Sequence, residues 1–201
     1  MSRAIIAILR GVTPAEVTAI AGAILDAGID RIEVPLNSPE PLDSIARLSE
    51  AHGDRALIGA GTVLTPEDVA AVASVGGKLI VSPDCNPDVI RASKSAGLTS
   101  FPGVMTPTDC FTALRHGADG LKFFPAELVG PSGLKAIRAV LPKGTETFAV
   151  GGAGPENFAE WVAAGATGFG IGSAIYKPGD TPDAVAAKAA TIVATYDKAR
   201  S

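Results

Sequence analysis

Short apolar runs recur along the chain at 4–9, 31–36, 56–60, 78–82, 98–102, 120–124, 146–150 and 167–171. Each is too brief for a buried helix and fits one strand covered on both faces. Between the runs lie longer stretches of mixed polarity, with a proline near the start of each: Pro14, Pro39, Pro66, Pro87, Pro107, Pro131, Pro155 and Pro182. Most follow Thr, Ser or Asn, and proline suits the first helical position because its missing N–H has no helical partner there anyway. Thr13 with Glu16, and Thr65 with Asp68, add a capping-box spacing. Ala27-Gly28, Gly76-Gly77, Ala96-Gly97, His116-Gly117 and Ala164-Gly165 supply the residue that commonly closes a helix.

Eight strands alternating with eight helices predict parallel strands joined by right-handed crossovers, a pattern that closes into a (β/α)8 TIM barrel with the helices outside. An open doubly wound sheet is the other arrangement of the same elements. Linkers, low-complexity stretches and charge blocks are absent, so residues 1–201 are expected to form a single barrel domain.

Composition narrows the partners. At 47% hydrophobic and 19% charged, 201 residues suffice for a sizeable core. The net charge of -4 and the lack of a Lys/Arg run point away from nucleic acid and anionic membrane and towards a small metabolite. Cys85 and Cys110 read as ordinary buried thiols, and no metal-ligand spacing is present, so neither a disulfide framework nor a metal is expected. The apolar run after Met1 is too short for a signal peptide, which leads to an expected cytoplasmic location. His52 and His116 fall near predicted helix ends, where imidazole can meet the last carbonyls, and Trp161 and the phenylalanines read as packing.

Barrel sites are built at the carboxyl ends of the strands, where polar candidates are few: Arg10, Glu33, Thr62 and Lys122. Side chains alternate along a strand, so Glu33 opposes Ile32 and Val34, and Lys122 opposes Leu121 and Phe123. With the branched residues against the helices, Glu33 and Lys122 point into the barrel. Burial lowers a lysine's pKa and raises a carboxylate's, which suits an amine nucleophile beside a proton carrier. A structural ion pair filling one barrel layer is the competing reading. Gly151-Gly152 and Gly170-Ile171-Gly172-Ser173 end the last two strands, where barrels commonly bind phosphate through backbone N–H groups.

Ile8-Leu9-Arg10-Gly11, Ile32-Glu33-Val34-Pro35-Leu36-Asn37-Ser38, Gly59-Ala60-Gly61-Thr62-Val63, Leu121-Lys122-Phe123-Phe124-Pro125 and Ala149-Val150-Gly151-Gly152 resemble the class I 2-keto-3-deoxy-6-phosphosugar-acid aldolases over nearly the whole chain. The resemblance implies that Lys122 forms a Schiff base with the substrate ketone and that Glu33, through a water, shuttles protons. It places the substrate carboxylate at Arg10 and Thr62 and the phosphate at Gly151, Gly152, Gly172 and Ser173. It implies no cofactor or metal, and a homotrimer. Asn37 and Val150, where gluconate enzymes resemble an arginine and a threonine pattern, are similar to the galactonate branch; Phe124-Pro125-Ala126-Glu127 looks like the gluconate branch. Two other uses of the same residues are a phosphosugar isomerase or epimerase with Glu33 as carbon base, and a non-catalytic phosphometabolite sensor.

Overall fold

The computed structural model describes residues 3–201; Met1 and Ser2, which open the stretch weighed as a leader, lie outside the described residues. The strand segments are β1 (Ile5–Ile8), β2 (Arg31–Pro35), β3 (Leu57–Gly61), β4 (Leu79–Val81), β5 (Thr99–Phe101), β6 (Gly103–Val104), β7 (Leu121–Phe123), β8 (Thr147–Val150) and β9 (Gly168–Ile171). All pairings are parallel, in the order β5-β4-β3-β2-β1-β9-β8-β7-β6. The ninth segment, against eight expected, arises because β5 and β6 are one stave interrupted at Pro102. Proline has no N–H to donate, yet its carbonyl still accepts from Lys122 N at 2.9 Å, and the Phe101 carbonyl accepts from Ser82 N at 3.2 Å. The stave therefore joins β4 on one side and β7 on the other, and the eight-staved barrel closes.

Helices α1 (Val17–Asp26), α2 (Pro41–His52), α3 (Pro66–Ser74), α4 (Pro87–Ser95), α5 (Pro107–Arg115), α6 (Ala126–Arg138), α7 (Phe158–Ala163) and α8 (Pro182–Ala199) follow the staves. Pro66, Pro87, Pro107 and Pro182 begin helices as expected, and Thr65 with Asp68 forms the capping box. Pro14, Pro39 and Pro155 do not. Ser38 Oγ, expected to cap a helix at Pro39, instead accepts from Gly11 N at 3.0 Å, and α2 starts at Pro41. Glu16 Oε1 accepts from Thr13 N and Oγ1, which forms a turn over Pro14 and delays α1 to Val17. Asn157 Oδ1 accepts from Gly154 N, enclosing Pro155 in a turn ahead of α7. Pro131 directly follows a break at Gly130, whose non-helical backbone divides α6, and so opens the second helical stretch as expected. The five expected glycine closures hold, with Gly28, Gly76, Gly97, Gly117 and Gly165 all at positive φ.

Two apolar clusters divide the interior. The larger joins the outward faces of the staves to the helices and takes in Phe158, Trp161, Phe169 and Tyr196. The smaller fills the barrel with Ile6, Ile8, Leu79, Val81, Phe101, Phe148 and Val150. Phe101 and Phe148 meet edge to face at 4.8 Å, and Gly120 and Gly168 leave room for their rings, since a Cβ there would fall 2.3 and 2.4 Å from a ring carbon. Below, Arg31 lies 5.7 Å from the Phe148 ring centroid and 3.8 Å from Glu146 Oε2. On the far side of this plug a cavity opens at the carboxyl end of the staves. No helix among the described residues is long and apolar enough to cross a membrane.

Candidate active site

At that end a cavity of about 540 Å³ is lined by Arg10, Glu33, Thr62, Lys122, Val150, Gly151, Gly152, Gly172 and Ser173, nine of the ten residues singled out in the sequence. Asn37, the tenth, is exposed and not on the wall; its Oδ1 accepts a short hydrogen bond from Arg10 Nη1. It therefore reaches the cavity only through Arg10.

Glu33 and Lys122 are the charged side chains among the buried described residues, at 2% and 7% exposure. Strand register explains their position. Glu33 of β2 stands between Ile8 and Gly59, and Lys122 of β7 between Gly103 and Phe148, so both alternate inward. Gly61 makes space for the carboxylate: a Cβ there would sit 2.0 Å from Glu33 Oε2. That oxygen is buried with no hydrogen-bond partner.

Burial pushes the Glu33 carboxyl up to about 7, against the opposing pull of Lys122 and Arg10. Burial also holds Lys122 below the ordinary lysine range, although Glu33 works the other way. Among the described residues the two form no ion pair. A structural pair would consume both groups in each other; here Glu33 Oε2 has no hydrogen-bond partner, and both residues line the cavity. Lys122 Nζ instead lies 4.6 Å from the centroid of the Phe124 ring.

Phe124 corrects the expectation that the phenylalanines only pack: two residues beyond Lys122, it shares the inward face and lines the cavity. Strand alternation carried that signal. Ile8, Gly11, Pro83, Tyr176, Lys177 and Pro178 also line the wall, five of them from loops beyond the strand ends, where no periodicity points to them. Thr62 holds φ +59, unusual for a β-branched residue and typical of a strained functional turn. Gly151 and Gly152 follow β8 at φ +84 and +82, and a Cβ on Gly152 would lie 2.6 Å from Glu127 Cβ. His116 Nδ1 meets the Thr112 carbonyl of its own helix, as expected, whereas His52 Nε2 reaches Thr18 O early in α1 rather than a last carbonyl. Cys110 is buried and Cys85 only partly so.

Residues 1–187 match the family model described as KDPG and KHG aldolase. The chain is 50% identical to the 2-dehydro-3-deoxy-6-phosphogalactonate aldolase of Escherichia coli K12, covering 97% of this chain and 95% of that protein. It is 49% identical to a probable 2-dehydro-3-deoxy-6-phosphogalactonate aldolase of Rhizobium meliloti, over 98% and 93%. A solved structure described as native KDPGal superposes with a TM-score of 0.97 at 48% identity, over 100% of this chain and 97% of that one.

Proposed function

Because the chain belongs to the KDPG and KHG aldolase family, we propose that it is the class I aldolase that cleaves 2-dehydro-3-deoxy-6-phosphogalactonate to pyruvate and glyceraldehyde 3-phosphate. One observation supports this above the others: a desolvated amine and a desolvated carboxyl share one cavity without neutralising each other.

In this reading the neutral Lys122 amine attacks the C2 ketone. Glu33 hands over the proton that lets the carbinolamine lose water, leaving an iminium. The C3–C4 bond then breaks, its electron pair moving into the iminium to give an enamine. Glu33 takes the C4 hydroxyl proton as the aldehyde forms. Protonation at C3 and hydrolysis release pyruvate and restore Lys122. Arg10, steadied by Asn37, offers its fork to the substrate carboxylate together with Thr62. Gly151, Gly152, Gly172 and Ser173 offer the phosphate end backbone N–H groups and a hydroxyl. Val150 presents methyls where a hydroxyl would favour the other C4 configuration.

The reading extends to a cytoplasmic homotrimer. Leu64, Met105, Leu128 and Val140 are the exposed large apolar residues among those described, and they give such an assembly surface to cover.

The test is chemical. Borohydride reduction in the presence of pyruvate should leave a three-carbon adduct on Lys122, located by peptide mass spectrometry, and Lys122→Ala should lose both adduct and cleavage. Folded wild-type protein that releases pyruvate from the substrate yet traps none would sink the imine mechanism.

A further inference from the structure

Lys177 also lines the cavity, and the mechanism above leaves it unused. It belongs to the segment after β9 that contributes Gly172, Ser173, Tyr176 and Pro178 to the same wall. The segment's backbone is fixed at several points. Ile175 N and Tyr176 N donate to the Gly172 carbonyl at 2.9 and 3.1 Å. The buried Tyr176 donates its hydroxyl to Glu16 Oε1 at 3.1 Å, and that oxygen is itself anchored to Thr13 N. Pro178 covers Gly11, where a Cβ would come within 2.8 Å of Pro178 Cγ. Lys177 N donates to Asp180 Oδ2 at 2.7 Å.

The main chain is thus held while the Lys177 side chain stays exposed. Among the described residues its ammonium forms no ion pair, and the neighbouring Asp180 carboxylate is bonded to Lys188 Nζ. Lys177 is the third cation of the cavity, after Arg10 and Lys122. Those two serve the keto-acid end of the substrate. A phosphate dianion at Gly151, Gly152, Gly172 and Ser173 would meet only neutral donors, inside a protein of net charge -4. An untethered ammonium on a fixed backbone is the group that can close over it.

We propose that Lys177 is a specificity residue that neutralises the substrate phosphate and makes the site prefer phosphorylated sugar acids to unphosphorylated ones; this rests on the aldolase reading above. The test compares full-length wild type, Lys177→Met and Lys177→Arg on the 6-phosphorylated acid and its unphosphorylated counterpart, with inorganic phosphate as inhibitor and pyruvate trapping at Lys122 as control. Lys177→Met should raise KM for the phosphorylated acid about tenfold, the scale of one charge-assisted contact, with little change in kcat. The phosphorylated-to-unphosphorylated ratio of kcat/KM should fall by the same factor, inhibition by phosphate should weaken, and Lys177→Arg should recover most of the loss. A Lys177→Met protein that traps pyruvate normally but keeps its KM and phosphate inhibition, or loses both substrates equally, overturns this inference alone. Wild-type protein that traps no pyruvate overturns the aldolase reading and this inference with it.

Discussion

Glu33 ties stability to acidity with a definite sign. Its carboxyl titrates at about 7 in the folded chain, against an ordinary value of 4.5, because burial penalises the anion. A raised carboxyl pKa means the folded state holds its proton more tightly. The resulting stabilisation is complete below about 4.5 and is lost as pH rises through 7. Glu33→Gln removes this dependence. Relative to wild type, the variant should gain roughly 2–3 kcal/mol between pH 5 and pH 8, read from urea denaturation at both values. An unchanged difference would mean that solvent reaches the carboxylate after all. The same ionisation opens the proton-accepting form, so cleavage by wild type should rise through the same range. That an acid and an amine are set into apolar runs is visible in the sequence, and alternation alone turns both inward. The missing partner of Glu33 Oε2 is not visible there, because it depends on Gly61 of the adjacent strand β3 rather than on neighbours in the chain. Lys177 was equally hidden: it follows the last strand in a loop whose path is set by Tyr176, Pro178 and Asp180, contacts that join distant parts of the sequence.

At the scale of elements, strand positions were legible to within about a residue, since a run bounded by turns and buried on both faces has little freedom to slide. Helix starts were less so. A proline marks where a helix can begin, but the side chain before it decides whether one does: Thr65 and Thr106 turn back to cap their own helices, whereas Ser38 is drawn away by Gly11 N. The break at Pro102 was likewise out of reach, because the carbonyls on either side keep the stave in the sheet. Glycines inside the barrel report the packing more directly. At Gly168, a Cβ would lie 2.4 Å from both the Ala4 carbonyl oxygen and Phe148 Cε1, a backbone atom and a packed ring that have little room to give. Gly168→Ala should therefore force β9 from β1 and cost about 3 kcal/mol, measured as a lowered urea midpoint. A midpoint within experimental error of wild type would show that the first and last staves tolerate separation.

The whole molecule is held shut where its two ends meet. β1 pairs with β9, α1 lies against α8, and Tyr196 of α8 spans the seam: its hydroxyl accepts from Ala4 N at 3.2 Å while its ring meets Phe158 and Phe169 edge to face. Beside it Arg3 Nη2 pairs with Asp197 Oδ2 at 2.7 Å, but both are substantially exposed, so that pair adds little. The ring and the hydroxyl can be separated by mutation. Tyr196→Phe keeps the packing and leaves the Ala4 amide without its partner, which should cost about 1 kcal/mol. Tyr196→Ala opens a cavity among Phe158, Phe169 and the α8 face and should cost about 3–5 kcal/mol. Tyr196 does not line the catalytic cavity, so cleavage by the folded Tyr196→Phe protein should match wild type, while thermal melting should rank wild type above Phe above Ala. Equal melting of the Phe and Ala variants would place the closure in the sheet pairing alone. That outcome would assign β1, which delivers Arg10 to the site, a position independent of the last helix.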